Sequence, residues 1–415
     1  MSAFSLDFVD EVVHKCIQLY KSSPQFGKPV EEEWTVLSCI IQLNTNTRNL
    51  KVVSLGTGSK CIGASKMSPE GDRLNDSHAE VFARRGFMLY IYDNIEKAVS
   101  MKPQEETIFE KLNGRFKMKN NLEFIFYSSQ MPCGDASIMP KLIIEDQGDI
   151  VGSNKRSHED EVIDINVKKL KTDFGDIHRT GAKCLPHSEQ DPKETGINYH
   201  LLGKVRIKPG RGDRTLSVSC SDKIARWVHV GIQGALLDML LAEPIYIKHF
   251  IFGSGVPYSK ESLTRALLDR DSNNIEQSEL QLVPHIYQTT VCFDHMKSER
   301  RLRPAPGSIV FVNCGILEVG VHGKRLGVTK KNAHLKSSSL HISKYKIYQR
   351  FLNLLEKNSD LKEKLVDCDL STIPYNEMKK KSQRYYKHWY NIRDTFFKTW
   401  TIKPDMWSFC VNPIN

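Results

Sequence analysis

Four residues in three separate segments could together perform metal-assisted chemistry. His78 and Glu80 lie two positions apart in "LNDSHAEVFARRGF", Cys133 follows a proline in "MPCGD", and Cys220 lies in "SCSDKIARW". One imidazole and two thiolates leave one position open on a tetrahedral zinc ion. Such a site lowers the pKa of a bound water from 15.7 to roughly 7, and a nearby carboxylate can carry protons. The sequence predicts a catalytic zinc centre with Glu80 as proton carrier; the alternative is a set of ordinary core residues.

Each candidate ligand lies at or just before a predicted helix. The apolar residues that follow His78 recur at helical spacing, and "LEFIFYSSQMPCGD" is typical of a buried strand that leads into a short helix starting at Pro132. The stretch "RTLSVSCSDKIARWVHVGIQGALL" predicts a short strand and then a helix from Cys220 to about Leu241. The positive end of a helix dipole favours thiolate over thiol, which suits a metal ligand.

Cations follow both candidate ligands on the predicted helices. Arg84 and Arg85 interrupt the apolar stripe, and Arg85 lies about one heptad after His78, on nearly the same face. Lys223 follows Cys220 by three residues and shares a face with Trp227. A buried cation needs a buried anion. These residues predict an anion behind the metal site, unless they lie on ordinary solvated faces.

Composition limits the classes of protein that the chain can belong to. The 415 residues carry a formal charge of +10, which favours an anionic partner such as nucleic acid, although many mildly basic proteins bind none. The N-terminus lacks the basic and apolar regions of a signal peptide, and no apolar run is long enough to span a membrane. Ten scattered cysteines fit a reducing compartment, so we expect the cytosol or nucleus.

The pattern along the chain predicts one α/β domain over residues 1–415. An amphipathic helix near the N-terminus precedes two β-branched strands, "WTVLSCIIQLN" and "LKVVSLGTGSKCIG". Residues from about 152 to 176 are charged and poor in apolar side chains, which predicts a solvated, disordered insertion. From about residue 338 the chain is basic, aromatic and helical. No separate RNA-binding module is recognisable.

The segments "LNDSHAEVFARR", "MPCGDASI" and "SCSDKIARWVHVGIQGALL" together resemble the editase domain of the RNA adenosine deaminases, which act on duplex RNA or on tRNA. The likeness extends through "SLGTGSKCIG" and "GKRLG" to the basic C-terminal segment. It implies a cytidine-deaminase-like fold, a mixed sheet with helices on both faces and a C-terminal helical extension. It also implies Zn²⁺ held by His78, Cys133 and Cys220. One departure is Ala136, where the related signature P-C-x-x-C has its second cysteine.

The resemblance further implies a buried inositol hexakisphosphate, whose many negative charges would match the cations of the core. Asp76 and Lys223 resemble a polar relay between this cofactor and the metal cysteines. Two positions depart from the duplex-RNA editors. This chain has Ala235 where those proteins have a serine, and Trp389 where they have a lysine. The residues implied to contact the polyphosphate are Asn75, Arg84, Arg85, Lys223, Arg226, Trp227, Lys344, Tyr375, Lys379, Tyr385, Trp389, Trp400 and Lys403.

The absence of a duplex-RNA-binding module favours the tRNA branch of the family. The run "TGAKCLP" resembles that branch, and small Ala182 is expected where duplex editors place a residue that fills the space of a flipped base. Lys60 and Lys183 are candidate RNA contacts, or else solvated lysines. The resemblance implies hydrolytic conversion of adenosine to inosine at position 37 of alanine tRNA. The alternatives are a deaminase of duplex RNA or another tRNA position, and a silent zinc protein that only binds RNA.

Overall fold

The structure is a computed structural model that describes residues 3–100, 106–141, 175–210, 212–270, 282–366, 369–401 and 406–412. Most of the predicted insertion, residues 152–174, lies outside these ranges, as does Lys403. Over the ranges described, no helix combines the length and the apolar character that crossing a membrane requires.

The helices are α1 (Leu6–Ser22), α2 (Ala79–Ser100), α3 (Cys220–Val230), α4 (Ala235–Leu240), α5 (Lys260–Leu267), α6 (Lys344–Glu356), α7 (Ser359–Leu365), α8 (Tyr375–Lys380) and α9 (Gln383–Ile392). The strands are β1 (Glu33–Trp34), β2 (Leu37–Asn44), β3 (Leu50–Thr57), β4 (Ser59–Cys61), β5 (Asp76–His78), β6 (Phe109–Leu112), β7 (Arg115–Met118), β8 (Leu122–Ser128), β9 (Met139–Pro140), β10 (Ile177–His178), β11 (Lys183–Cys184), β12 (Arg206–Ile207), β13 (His249–Ser254), β14 (His285–Cys292), β15 (Arg303–Pro304), β16 (Ser308–Val312), β17 (Ile316–Val321) and β18 (Lys324–Arg325).

The central sheet is mixed and has the strand order β14-β13-β8-β2-β3-β16-β17-β18. Strands β14, β13 and β8 run parallel to one another, and the remaining neighbours pair antiparallel. Because parallel neighbours need long crossovers, helices lie between β8, β13 and β14 in the sequence. The fold class predicted from the sequence, an α/β mixed sheet with added C-terminal helices, is confirmed.

Alternating side chains of the sheet enter two separate cores. On β2, Cys39 and Ile41 pack with α1, whereas Ile40 belongs to the core that contains α2, α3 and the C-terminal helices. This is the period of two expected for a strand that is buried on both faces. Helices therefore cover both faces of the sheet, as the sequence predicted.

Helix α2 packs directly on strand β3, and this contact sets the distance between the start of the helix and the sheet. A Cβ atom at Gly56 would lie 2.4 Å from the backbone nitrogen of Ala83. Close by, the Ser54 hydroxyl donates a hydrogen bond of 2.7 Å to the Ala83 carbonyl. Glycine is thus required where helix and strand backbones meet.

Two predicted helix boundaries are wrong. The helix expected to run from Cys220 to Leu241 is two helices, because Gly231 (φ 90°) and Gly234 (φ 77°) adopt conformations that break the helix. Pro132 does not begin a helix either. The chain continues after Cys133 into a single 3₁₀ turn over Asp135–Ser137.

The C-terminal helices close over the side of α2 that faces away from the sheet. Helix α6 packs on α2, α8 and α9 pack on α4, and α9 also packs on α3. This arrangement surrounds the space between α2 and α3, where the predicted cationic residues lie.

Candidate active site

The three predicted metal ligands come from three different elements. His78 is the last residue of β5, immediately before α2, and Cys133 lies in the turn after β8. Cys220 is the first residue of α3, whose N-cap Ser219 accepts a hydrogen bond of 3.2 Å from the Asp222 backbone N–H. Two of the three predicted helix-start positions are therefore confirmed.

Cys133 connects the other two candidate ligands. The backbone N–H of Cys220 donates to the Cys133 sulfur at 3.4 Å, and His78 also hydrogen-bonds to that sulfur. A hydrogen bond from the Cys220 side chain is the main cause that holds the pKa of Cys133 well below its usual range, so Cys133 is the favoured thiolate. Burial and the neighbouring Cys133 raise the pKa of Cys220 well above its usual range. Across the part of the chain that the structure describes, no three His, Cys, Asp or Glu side chains are grouped as closely as a preformed metal site requires.

Asp76 fixes the orientation of the His78 ring. The Nδ1 atom lies 2.8 Å from Asp76 Oδ1 and 3.2 Å from the Lys60 carbonyl, two acceptors that require a proton on Nδ1. Burial and the charge of Lys208 lower the pKa of His78, but Asp76 and the hydrogen bond to Cys133 outweigh them and raise it to about 9. Nε2 therefore shares a proton with the Cys133 sulfur and would give that proton up on binding a metal.

Asp76 is also the centre of a buried charge cluster. Its Oδ2 accepts hydrogen bonds from Lys223 and, at 2.8 Å, from Lys208. Burial alone would raise the pKa of Asp76, but the charges of Lys208 and Lys223 outweigh burial and hold it well below its usual range. The contacts of Asp76 with His78 and Lys223 are those that the predicted relay requires.

The sequence analysis missed Lys208, although this lysine contacts both Asp76 and Cys220. Its side chain is 1% exposed, and its ammonium lies 3.1 Å from the Cys220 sulfur as well as 2.8 Å from Asp76. The available signal was the alternation in "VRIKPG", which places Arg206 and Lys208 on the same face of a strand just upstream of Cys220.

Glu80 lies in the first turn of α2 and is 4% exposed. Its Oε2 atom has no hydrogen-bond partner among the described residues. Burial is the main cause that raises the pKa of Glu80, while the charges of His78 and Lys208 act in the opposite direction. A buried carboxylate oxygen without a partner costs stability, so its retention beside this cluster points to use in chemistry.

A cavity of about 270 Å³ lies behind this cluster, between α2, α3 and the C-terminal helices. It brings together most of the residues predicted to contact a polyphosphate. Those that line it are Asn75, Arg84, Arg85, Lys223, Arg226, Trp227, Lys344, Tyr375, Lys379, Tyr385 and Trp400.

The cavity has an excess of positive charge. Within the described ranges, Arg84, Arg85 and Arg226 form no ion pair with a carboxylate, and Arg226 Nε is buried without a hydrogen-bond partner. Burial, together with the charges of Arg85 and Arg226, lowers the pKa of Arg84 to about 10. Uncompensated cations of this kind are satisfied when an anion occupies the cavity.

The family model of the adenosine-deaminase (editase) domain matches residues 54–404, a range that contains the candidate ligands, Glu80 and most of the cavity. The chain belongs to this family. It is therefore an adenosine-deaminase enzyme, as the motifs around His78, Cys133 and Cys220 predicted.

Curated relatives of this editase span nearly its whole length. The chain is 36% identical over 407 residues to "tRNA-specific adenosine deaminase 1" of Drosophila melanogaster, with 95% of each chain covered. It is 31% identical to the human protein of the same name, with 95% of this chain and 98% of the relative covered. "Double-stranded RNA-specific adenosine deaminase" of Rattus norvegicus is 27% identical, and the match covers 96% of this chain but 32% of that protein.

Among the predicted polyphosphate contacts of the editase that the structure describes, only Trp389 does not line the cavity. Trp389 lies behind the wall, where the guanidinium of Arg226 stacks 3.6 Å from its ring centroid and Trp400 packs edge-on against it. This position allows Trp389 to hold Arg226 in place. Lys403 lies outside the described residues.

The two predicted RNA contacts of the editase, Lys60 and Lys183, lie on different strands. Lys60 lies on β4, which pairs with β5, so its backbone is next to His78. Lys183 is exposed on β11, whereas the neighbouring Ala182 is 4% exposed. The carbonyl of Ala182 accepts a hydrogen bond of 3.2 Å from Arg206, and the expectation that small Ala182 stands where duplex editors fill the space of a flipped base stays a prediction.

Proposed function

We propose that this editase hydrolyses adenosine in tRNA at C6, producing inosine and ammonia. The single observation that carries the proposal is Glu80, a buried carboxylate with an unpartnered oxygen beside His78 and Cys133. A protein that only bound RNA would keep this destabilising group for no purpose. The names of the relatives that match over nearly their full length support tRNA as the substrate class.

We propose zinc as the metal, held by His78, Cys133 and Cys220. The donor set fits this ion: the Nδ1–H of His78 donates to Asp76, which leaves Nε2 as the nitrogen that would bind the metal, and the Cys133 thiolate is favoured by its hydrogen bonds. When bound, zinc would supply a Lewis acid that makes water a nucleophile near neutral pH.

Glu80 would move the protons of the reaction. As a carboxylate it accepts a proton from the attacking water, and as a carboxylic acid it delivers that proton to the ring nitrogen next to C6. It then takes the proton of the new C6 hydroxyl and passes it to the departing amine. Because the pKa of Glu80 is raised, its protonated form is easier to reach near neutral pH, and both the protonated and the ionised form are needed in this cycle.

Inositol hexakisphosphate is the polyanion that we propose for the cavity. Arginine side chains bind phosphate through paired N–H donors, and Arg84, Arg85 and Arg226 converge on the space together with Lys344 and Lys379. The ligand would act as a structural part of the core. The relay of Lys223, Asp76 and Lys208 would then connect its site with Cys220.

Position 37 of alanine tRNA is the substrate adenosine that we propose, by resemblance to the tRNA branch. The alternative, duplex RNA, is less well supported, since the duplex-specific relative from Rattus norvegicus is 27% identical, against 36% and 31% for the two tRNA-specific relatives. The free cysteines of the described ranges support a reducing compartment, and we propose the cytosol or nucleus.

A panel of unmodified tRNAs and perfect RNA duplexes tests the substrate class. Each RNA is incubated with the zinc-loaded protein and sequenced for inosine. The proposal expects inosine in tRNA, at position 37 of alanine tRNA. Editing of the duplexes alone would contradict it, and zinc-bound protein that edits nothing would favour the silent RNA binder.

A further inference from the structure

The segment from residue 179 to 201, here called the rim loop, has a defined fold with little regular structure. Its ordered elements are β11 and a 3₁₀ turn over Gly196–Tyr199, and most of its side chains are exposed. A loop of this length normally needs either a small core of its own or strong polar anchors to hold one conformation.

A single buried arginine provides the anchors. Arg206, on β12, is completely buried, and its guanidinium donates to the Ala182 and Leu201 carbonyls at 3.2 and 2.7 Å. The same group forms two hydrogen bonds of 2.7 Å with the carboxylate of Asp191. Arg206 thus connects the beginning, the middle and the end of the rim loop.

Asp191 receives further contacts from the loop itself. Its Oδ1 accepts a hydrogen bond of 3.0 Å from the Leu201 backbone N–H, and its Oδ2 lies 3.0 Å from His200 Nδ1. The other ring nitrogen of His200 accepts a hydrogen bond of 3.2 Å from the Thr180 backbone N–H. The ion pair of Arg206 with Asp191 therefore lies at the centre of the hydrogen bonds that hold the rim loop together.

The segment that carries Arg206 is hydrogen-bonded to residues close to both candidate ligand cysteines, Cys133 and Cys220. The Arg206 backbone N–H donates to Asp222 Oδ2 at 2.9 Å, and the Gly203 N–H donates to Asp135 Oδ1 at 2.8 Å. Asp135 and Asp222 each follow a candidate ligand cysteine by two residues.

Two more arginines hold these aspartates from behind. Arg265 lies 3.0 Å from the carboxylate of Asp135, and Arg270 lies 2.6 Å from that of Asp222. Both aspartates are fully buried. The rim loop is thereby held in a fixed position relative to Cys133 and Cys220, through the buried contacts of Asp135 and Asp222.

We propose that Arg206 is a positioning residue whose ion pair with Asp191 holds the rim loop as an RNA-contacting edge of the active site. This inference rests on the proposed function, because tRNA is the substrate that the edge would meet. Exposed Arg179, Lys183 and Lys193 are the loop's cations available to phosphate groups.

Asp191→Asn tests the proposal, because it removes the charge and keeps the shape. We expect the KM for tRNA to rise at least about tenfold while kcat changes less than about threefold, since the chemistry residues are untouched. Zinc content should stay at the wild-type level, and trypsin should cleave faster after Lys183 and Lys193. Glu189→Gln is the matched control, because Glu189 forms an exposed 2.8 Å ion pair in the same loop, with Lys204.

An unchanged KM with wild-type resistance to trypsin would overturn the proposal, as would a loss confined to kcat. Hydrogen exchange of the wild-type protein gives a second measurement that needs no variant. Amides of residues 179–201 should exchange slowly in the free protein, and exchange at the rate of an unstructured peptide would also overturn it. A wild-type protein that deaminates no tRNA would refute the proposed function, while the exchange result would still report on the ion pair.

Discussion

The ammonium of Lys208 lies 3.1 Å from the sulfur of Cys220, and the lysine side chain is 1% exposed. This contact places a fixed positive charge beside a thiol that the proposed chemistry needs as a thiolate. The same ammonium also contacts Asp76, which orients His78, so one side chain supports two candidate metal ligands.

Lys208→Met should lower both stability and metal retention. It leaves the Asp76 carboxylate with fewer buried partners, and breaking a buried ion pair costs about 3–5 kcal/mol. Urea unfolding and the zinc content of the purified protein measure the two effects. Lys204→Met, which removes a partly exposed lysine from the same segment, should change the free energy of unfolding by less than about 1 kcal/mol. Equal losses in the two variants would refute the role of Lys208.

The sequence predicted the residues whose chemistry is distinctive and missed those whose role depends on burial. His78, Glu80 and the two cysteines stand out because few residue types bind zinc or carry protons. Lys208 does not, since a lysine in a basic stretch is usually solvated and its partner Asp76 lies 132 positions earlier in the chain.

One of the two wrong helix boundaries, the one in the segment from Cys220 to Leu241, has a clear physical cause. The break between α3 and α4 depends on the positive φ angles of Gly231 and Gly234, and the helical spacing of the surrounding apolar residues concealed it.

Arg226→Met should weaken retention of the polyphosphate. The substitution removes a guanidinium that lines the cavity and stacks on Trp389. Phosphorus analysis of denatured protein should find less inositol phosphate, and added inositol hexakisphosphate should raise Tm less than in the wild type. Arg179→Met, on the exposed surface, is the control. If denatured wild-type protein released no phosphorus and added polyphosphate left its Tm unchanged, the cofactor assignment would be wrong.

Gly234→Ala should destabilise the protein by more than the cost of its backbone angle. Residue 234 has a φ of 77°, and an added Cβ would lie 2.9 Å from Arg84 Nη2. Gly212 has a similar φ of 74° with no heavy atom within 4 Å, so Gly212→Ala isolates the backbone cost of about 1 kcal/mol. Denaturant unfolding should rank Gly234→Ala as the more harmful change. The reverse order would contradict the close approach of Arg84.

His229 should make the fold sensitive to acid. Burial is the main cause that lowers its pKa from 6.5 to about 4, and its Nε2 lies 3.0 Å from the Leu267 carbonyl. Between these pH values the unfolded chain binds a proton that the folded chain does not, so the free energy of unfolding falls as the pH drops. His229→Gln should reduce this slope in urea titrations from pH 7 to 4.5. His187→Gln, at an exposed position, should leave the slope unchanged, and equal slopes in all three proteins would contradict the assignment.

The most direct test of hydrolytic deamination is a single-turnover reaction of the zinc-loaded protein with an unmodified alanine tRNA transcript, scored for inosine at position 37. The wild-type protein should convert the adenosine, and Glu80→Gln should be slower by about 10² to 10⁴, with a Tm no lower than that of the wild type, because the unpartnered carboxylate is gone. Full activity of Glu80→Gln, or no inosine from zinc-bound wild-type protein, would contradict the account.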